Sequence, residues 1–462
     1  MGTWTANGDS RLSELSFWPR VRDFAVPASM IETATRRRLA GDWAGACAAA
    51  GFDVDLNLRS LARDHGPELA GRVRDDLRCL APDLLRWHMP RIAPDGLLRP
   101  GLTLALARYG SAGRPLFLVA RTPPAWADAG QRISLAVWGG DRASSRGRLT
   151  SHPHPRPHRR FRLDLHRHLW DAGRAGELRV RAGRGGPSHF GPDDWRRCAV
   201  DRWADEALLL LRAEGRSSGA VLVRLGRGQR LVLEVSAAGT RIVESDGRRG
   251  HALPVLPDAA TWVLPDLRLL RDGAIEADRL HPLVASALVP EASGAATATP
   301  RGRVGQPRLV DCRGARHRIG LVDGVLAPLD HAPDEIRREE LLAALTGTPL
   351  PCLRAIDEAH RHPECLPDVR DRLSHGDFAG ALAVVEGLLG PDAVLRDGAL
   401  RDELEAAARR RVTYGLFRAG LVGPGPGRPR RLAYDGPGGR RSPADRARPR
   451  HANFPDPRRA AR

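Results

Sequence analysis

AVLVRLGRGQRLVLEVSAAGTRIVES, from Ala220 to Ser245, decides the fold class, because its apolar residues alternate with polar ones in short runs. A period of two is typical of a half-buried β-strand. Glycines near Gly228 and Gly239 mark two turns, so the stretch predicts an antiparallel meander of three strands.

Two further strand groups are predicted on either side of this meander. Beyond Pro100, Leu102, Leu104 and Leu106 alternate with small residues, and apolar runs follow at 115–120 and 133–138. After the meander, Leu267–Leu270 is another strand candidate. The third group, RLVDCRGARHRIGLVDGVLAPL, has turns at Arg313-Gly314 and Asp323-Gly324, the second of which is a strong hairpin signal.

Helical periodicity dominates both ends of the predicted folded region. After Pro67, the spacing predicts a helix with one apolar face, made of Leu69, Val73, Leu77 and Leu80. Near the C-terminus, apolar residues at a spacing of four predict another helix, with a stripe of Leu400, Leu404, Ala408, Val412 and Leu416. Beyond Gly423 the chain is dominated by Pro, Gly and Arg. The predicted fold class is α+β, with helical N- and C-terminal segments flanking mostly antiparallel β-meanders and a disordered C-terminal tail.

These patterns divide the chain into seven stretches. They are an N-terminal extension (1–28), a helical segment (29–98), a β-rich α+β domain (99–290) with an Arg/His/Pro-rich insertion (142–190), a linker (291–306), a β-hairpin group (307–332), a second helical segment (333–422) and a basic tail (423–462).

The chain contains 73 Lys+Arg residues, and every one of them is arginine. A P-loop, a protein kinase, a pyridoxal enzyme and a Schiff-base aldolase each need a lysine, so these four classes are excluded. The formal charge of +18 is concentrated in two places, 142–184 with +9 and 423–462 with +8, which leaves the rest at +1. The basicity is local, not a property of the whole chain.

Six cysteines without a CxxC pair are too few for a disulfide framework in 462 residues, which indicates reduced thiols. Neither a signal peptide nor an apolar run of membrane-spanning length is visible. We therefore expect a soluble, cytoplasmic protein with no membrane partner.

One short string occurs twice, as GDWAGACA (Gly41–Ala48) and GDFAGALA (Gly376–Ala383). Glycine followed by aspartate suits the end of one helix and the N-cap of the next, so each copy predicts a helical hairpin with Trp43 or Phe378 in its corner. The string resembles the turn of a tetratricopeptide-type helical hairpin over about a dozen residues, which implies a protein-interaction surface. Duplication and independent use of the same corner chemistry both explain the repeat.

The metal-ligand candidates are Cys352, His360, His362 and Cys365, in PCLRAIDEAHRHPEC. Two thiols and two imidazoles suit zinc, but the spacing matches no familiar finger, and an ordinary helix end explains the same residues. A second group, His152, His154, His158, His166 and His168, lies among arginines and prolines and is interpreted as a solvated basic loop. We expect no cofactor and no stoichiometric metal.

Catalytic motifs are sparse. Cys312 and His317 lie on either side of a predicted hairpin turn, but nothing identifies an orienting carboxylate or an oxyanion hole, and a buried strand cysteine is the ordinary interpretation. Adjacent acids such as Asp75-Asp76 and Glu339-Glu340 fit solvated helix faces.

The leading functional hypothesis is a non-enzymatic adaptor or scaffold that binds an unidentified protein partner through its helical hairpins. The first alternative is an accessory protein that binds nucleic acid non-specifically through its arginine-rich segments. The second is an enzyme of unrecognised class, with zinc as its candidate metal. The sequence indicates no oligomeric state.

Overall fold

A computed structural model describes residues 17–110, 115–139, 152–182, 197–225, 229–244, 252–290, 308–312, 314–323, 325–361, 363–390 and 394–421. These residues form helices together with mainly antiparallel sheets, so the predicted α+β class is confirmed. The chain divides into two compact units, Met1–Gly423 and Pro424–Arg462. The predicted disordered tail and the predicted linker lie outside the described residues.

Six helices begin the described chain: α1 (Trp18–Arg20, continued by a π-helical turn over Val21–Ala25), α2 (Ala28–Leu39), α3 (Trp43–Ala49), α4 (Leu58–His65), α5 (Pro67–Cys79) and α6 (Pro82–His88). Proline at the start of α5 and α6 presets the helical φ, and Asn57 caps α4 by accepting two backbone N–H groups. A strand, β1 (Phe52–Val54), interrupts this run, which the periodicity predicts to be entirely helical. Three residues are too few to show a period of two.

The central sheet has the order β1-β6-β5-β4, with β4 (Thr103–Tyr109), β5 (Leu116–Arg121) and β6 (Ile133–Gly139). These three strands pair antiparallel, as predicted, whereas β1 joins the edge of β6 in parallel. Almost every residue of β4 and β5 is buried, so both faces of the sheet are covered. A small hairpin, β2 (Arg91–Ile92) with β3 (Leu97–Leu98), precedes it.

The Arg/His/Pro-rich stretch packs into the same core over its described residues, 152–182. Phe161, Leu163, Leu169 and Trp170 are buried there, and the stretch ends in α7 (Leu178–Arg181). The interpretation as a solvated loop is therefore wrong for these residues. Four apolar anchors spaced along the stretch outweigh its charged composition.

A second core joins β7 (Gly219–Arg224) and β8 (Arg230–Ser236) to α8 (Trp203–Ala213) and α9 (Asp258–Thr261), and the exposed strand β9 (Gly239–Glu244) pairs with β8. The meander is antiparallel, as predicted. The strand expected at Leu267–Leu270 is instead part of the helix α10 (Pro265–Arg271), followed by α11 (Pro282–Leu288). Pro265 and Asp266 at its start favour a helix, and this local signal outweighs the short apolar run.

The C-terminal part begins with an antiparallel sheet of β10 (Arg308–Cys312), β11 (Ala315–Val322) and β12 (Val325–Pro328). Asp323 has φ +51°, the left-handed conformation that the predicted hairpin turn requires. Five helices follow: α12 (Pro333–Thr346), α13 (Pro351–Arg361), α14 (Leu366–His375), α15 (Phe378–Leu389) and α16 (Ala399–Arg418). Within the described ranges, no helix is long and apolar enough to cross a membrane.

The repeated string forms the same helix corner twice, as predicted. Gly41 follows α2 with φ +78°, and Asp42 caps α3 by accepting the Gly45 N–H at 2.8 Å. Gly376 follows α14 with φ +90°, and Asp377 caps α15 by accepting the Gly380 N–H at 2.9 Å. An arginine five residues before each aspartate pairs with it, as Arg37 with Asp42 at 2.8 Å and Arg372 with Asp377 at 2.7 Å.

The C-terminal helices contact the N-terminal core through buried polar groups. The buried guanidinium of Arg86 donates to the carbonyl oxygens of Ala25 (2.8 Å), Gln131 (2.6 Å) and His375 (3.0 Å), which belong to three distant segments. Tyr414 of α16 donates to Asp53 of β1 at 2.5 Å. Buried carbonyls without a donor cost free energy, so Arg86 stabilises this junction.

Candidate metal centre

Two cysteines and a histidine meet where the C-terminal sheet contacts α13. Cys312 is the last residue of β10, His331 lies just beyond β12, and Cys352 is in the first turn of α13. Ile319, Leu350 and Ile356 pack around the two thiols and hold the first turn of α13 against the sheet. The sheet and the helix therefore place these three side chains together, although they are far apart in sequence.

The potential ligand atoms of Cys312, His331 and Cys352 all lie within 4.8 Å of one another. Cys352 Sγ is 3.7 Å from His331 Nε2. Zinc bonded tetrahedrally to a thiolate at about 2.3 Å and an imidazole at about 2.05 Å holds these two atoms about 3.6 Å apart. The 3.7 Å contact is a hydrogen bond between thiol and imidazole, and the same separation suits two ligands that share one zinc ion.

Both thiols are fully buried in an apolar setting. Burial, followed by contact with the Cys312 thiol and the charge of Asp330, raises the pKa of Cys352 to about 11. Without a cation the thiol therefore stays protonated at neutral pH. A divalent cation reverses this preference, because it binds the thiolate and releases the proton.

Glu335 orients the imidazole of His331. The Nδ1 atom of His331 is 3.3 Å from a carboxylate oxygen of Glu335, in the first turn of α12. A carboxylate on one ring nitrogen keeps the proton there and leaves the other nitrogen as a lone pair, which is the usual support of a metal-bound histidine. With the proton on Nδ1, the nitrogen left to bind a metal is Nε2, the atom that faces Cys352.

His317 is the fourth polar ring at the site. It stacks on His331, with ring centroids 4.3 Å apart and planes at 13°. Its Nδ1 atom is buried and has no hydrogen-bond partner among the described residues. A tetrahedral ion held by Cys312, His331 and Cys352 has one position left, which is open to water or to another ligand.

The structure separates two of the sequence-predicted ligands, Cys352 and His360. Cys352 and His360 lie eight residues apart on α13, about 12 Å along the helix axis. Cys365 follows α13 at the start of α14, and His362 lies outside the described residues, so the four-residue set stays a prediction. Within the described ranges, the one group of three close metal-ligand side chains joins Cys352 to Cys312 and His331 instead.

Sequence reasoning missed this cluster because its members are not local. His331 lies 21 residues before Cys352, and Cys312 lies still earlier in the chain, at the end of β10. The sequence pairs Cys312 with His317 across a turn, but in the ladder His317 faces Val310 and Cys312 faces Ala315. The available signal was the position of the cysteines, one at the end of a strand and the other at the start of a helix.

The second histidine group does not converge on a metal site within the described chain. His166 and His168 are buried, and His166 lies 3.0 Å from the Glu206 carboxylate, which Arg181 also contacts at 2.8 Å. His152 approaches the Thr122 carbonyl oxygen at 2.9 Å. These histidines hold the core together.

Searches of protein-family models, of curated proteins and of solved structures found no match to this chain.

Proposed function

We propose that this protein is an adaptor whose docking helix, α12, is held in place by a zinc ion bound to Cys312, His331 and Cys352. The observation that carries the proposal is the position of α12 in the chain. His331 lies just before α12 and Cys352 just after it, so a single ion bound to both closes the segment that contains this helix.

The helix α12 has the surface of a docking element. None of its fourteen residues is buried, and Leu341, Leu342 and Leu345 are 64%, 47% and 85% exposed. Together with Arg338 they follow the spacing i, i+3, i+4, i+7, which places them on one face. An apolar helix face of this kind is stabilised when a partner covers it.

Zinc contributes rigidity to this arrangement. The core around Cys312 and Cys352 is small, with Ile319, Leu350 and Ile356 as its other buried members. Metal binding to such a unit adds folding free energy, and closing the segment reduces the conformational freedom of α12 before it meets a partner.

The occupant that fits this face is an apolar groove on another protein, with an acidic residue at the end that receives Arg338. Three leucine side chains cover about 300 Å², well below the roughly 800 Å² per partner of a stable pair. A second copy would offer the same narrow stripe, whereas a groove encloses the helix on several sides.

The metal is tested by elemental analysis of untagged full-length protein. We expect about one zinc per chain, lost in Cys312→Ser and Cys352→Ser because each removes a thiolate ligand. Cys79→Ser, at an exposed cysteine, and Cys365→Ser are matched controls that retain the ion. Zinc-free wild-type protein after expression in zinc-supplemented medium, or loss of zinc only in Cys365→Ser, would contradict this site.

The docking helix is tested by affinity purification from the native cells after nuclease treatment. We expect a defined partner that is retained by wild type and lost by the double variant Leu341→Gln, Leu345→Gln. Leu382→Gln, at another exposed helix position, is the control that keeps the partner. The recovered partner is then purified and its direct binding measured, where Arg338→Glu should weaken binding about tenfold.

Two results would count against the adaptor. One is a partner set unchanged by the leucine substitutions. The other is a homodimer, seen by light scattering, that these substitutions dissociate, since it would assign α12 to self-association.

A further inference from the structure

A second feature lies far along the chain from the zinc ligands, in a cleft of about 690 Å³ between the central sheet and α16. Its walls come from the loop after β1, the end of β5 and the last turn of α16. Its lining includes Asp55, Arg121, Pro123, His152, Phe417 and Arg418. The volume is typical of small-molecule sites.

Arg121 is the unusual member of this lining. It is the last residue of β5, is 3% exposed and faces Thr103 and Ser134 on the neighbouring strands. One terminal nitrogen donates to the Pro155 carbonyl oxygen at 3.3 Å, and the buried Nε has no hydrogen-bond partner among the described residues. This cation is buried at a cleft wall, and among the described residues its Nε donor is unused.

The nearest acid does not neutralise Arg121. Asp55 attracts it, yet both oxygens of Asp55 already accept from the guanidinium of Arg418. Burial accordingly lowers the pKa of Arg121 to about 10, with Asp55 opposing that effect. Among the described residues, these three groups together leave one positive charge on Arg121 without a counter-charge.

His152 does not supply the missing charge. Its Nδ1 accepts the N–H of His154 and its Nε2 faces the Thr122 carbonyl oxygen, so both nitrogens are occupied. Burial, and then the charge of Arg121, lower the pKa of His152 to about 4, so the ring is neutral at physiological pH. It forms an uncharged wall beside the guanidinium.

The remaining walls are largely apolar. Phe417 of α16 stacks edge-on against Trp126 at 5.4 Å, which fixes its ring, and Pro123 follows Arg121 by two residues. Gly415 leaves open space, since a Cβ atom added there would meet nothing within 4 Å. The cleft thus combines one cationic end with an apolar body.

We propose that this cleft binds a small organic carboxylate, whose charged group pairs with the Arg121 guanidinium and whose apolar part lies against Phe417 and Pro123. A single uncompensated positive charge matches a monoanion, and the planar guanidinium matches a carboxylate. An unpaired buried cation is costly, and a bound anion recovers that cost.

The probe is benzoate, titrated into the full-length protein by calorimetry, with benzyl alcohol and inorganic phosphate as matched comparisons. We expect benzoate binding that Arg121→Met weakens about tenfold to a hundredfold, since a charge-assisted hydrogen bond is lost. Benzyl alcohol lacks the charge and should bind at least tenfold more weakly. Phosphate should not bind.

Two further variants keep the test independent of the folding of Arg121→Met. Gly415→Phe fills the cleft but leaves Arg121 in place, and should abolish benzoate binding, whereas Gly415→Ala should retain it. The thermal midpoint without ligand adds another readout. If Arg121 serves a ligand, Arg121→Met should have the wild-type thermal midpoint in the absence of ligand. If Arg121 stabilises the fold, the same variant should have a lower midpoint.

Benzoate binding that survives both Arg121→Met and Gly415→Phe would overturn the site, as would no benzoate binding to wild type. Phosphate binding lost in Arg121→Met would assign the cleft to inorganic anions and overturn the carboxylate. None of these results depends on zinc or on α12, so they leave the adaptor proposal untouched.

Discussion

Single residues in the core show how this arginine-rich chain buries charge. Three buried carboxylates each face a histidine: Asp83 with His281 at 2.9 Å, Asp266 with His88 at 3.3 Å and Glu206 with His166 at 3.0 Å. Although burial opposes it, hydrogen bonding from His166 and the charge of Arg181 lower the pKa of Glu206 to about 2. Buried ionisable groups are retained where such partners satisfy them.

His375 is buried without a carboxylate partner. It is 1% exposed, its Nδ1 has no hydrogen-bond partner among the described residues, and Phe24 stacks on its ring at 6.3 Å. Burial, followed by the charges of Arg91 and Arg86, lowers the pKa of His375 to about 3. The ring must therefore stay neutral for the α14 corner to pack.

This histidine makes the fold acid-sensitive. Because the folded pKa is below the unfolded value of 6.5, the unfolded chain binds more protons between these values. The stabilising contribution is complete above pH 6.5 and is lost as the pH falls toward 3. We expect His375→Gln to flatten the dependence of unfolding free energy on pH by about 1.4 kcal/mol per pH unit between pH 6 and 4.

Urea denaturation at pH 7.5, 6.0, 5.0 and 4.0 measures this slope. His65→Gln, at an exposed histidine on α4, is the control that should leave it unchanged. His152 keeps some acid sensitivity in both variants, since its pKa is also lowered by burial. A slope in His375→Gln equal to that of wild type would assign the acid sensitivity elsewhere.

At the level of elements, the two helix corners share their chemistry but not their surroundings. At Gly41 an added side chain would meet nothing within 4 Å, whereas at Gly376 the new Cβ would lie 2.0 Å from the Gly130 carbonyl oxygen. The second corner is therefore pressed against the loop before β6. The corner itself was predictable from the repeated string, but its contact with that loop was not.

Alanine substitution separates the cost of the positive φ from the cost of a collision with Gly130. Both glycines have positive φ, so Gly41→Ala should lower the free energy of unfolding by about 1 kcal/mol. Gly376→Ala adds the collision with Gly130 and should cost about 3 kcal/mol in total. Chemical denaturation of both variants checks the difference, and equal losses would show that the Gly376–Gly130 approach contributes nothing.

The apolar stripe of α16 shows where periodicity misleads. A spacing of four drifts by about 40° per step around a helix, so its ends face different directions. Leu400 is fully buried, whereas Val412 is 64% exposed. Ala407 and Phe417, which are off the predicted stripe, are buried instead, because the helix crosses from its own bundle to the N-terminal core.

On the scale of the whole molecule, the fold class and most strands follow from local patterns, while the sites follow from long-range contacts. Alternation and glycine turns predict the three antiparallel groups. The parallel pairing of β1 and the meeting of Cys312 with Cys352 depend on packing between distant segments. The local pattern of a single sequence carries no direct signal of such contacts.

Folding pairs some of the arginine charges of the basic stretch with carboxylates. In the described part of the basic stretch, at least four of the eight arginines face carboxylates within the protein: Arg160 faces Asp258, Arg162 faces Asp164 and Glu214, Arg167 faces Asp76 and Asp171, and Arg181 faces Glu206. These arginines are already neutralised and offer little to a phosphate backbone. Any affinity for nucleic acid should therefore come mainly from residues 423–462, which hold eleven arginines and three aspartates.

We expect weak, non-specific binding of RNA and DNA oligomers by the full chain that is largely lost when the chain is shortened after Gly423. Each phosphate neutralised adds about 0.7–0.9 to the slope of log affinity against log salt, so truncation should remove most of that slope. Fluorescence anisotropy across a salt series measures this slope, and full-length protein with Arg428, Arg430 and Arg431 changed to glutamine should give an intermediate slope.

Arg162→Gln is the matched control. The charge of Arg162 is paired with Asp164 and Glu214, so its loss should leave the salt slope unchanged. Sequence-selective, salt-insensitive binding retained by the truncated chain would place a recognition surface in the folded unit and favour a nucleic-acid function over the adaptor.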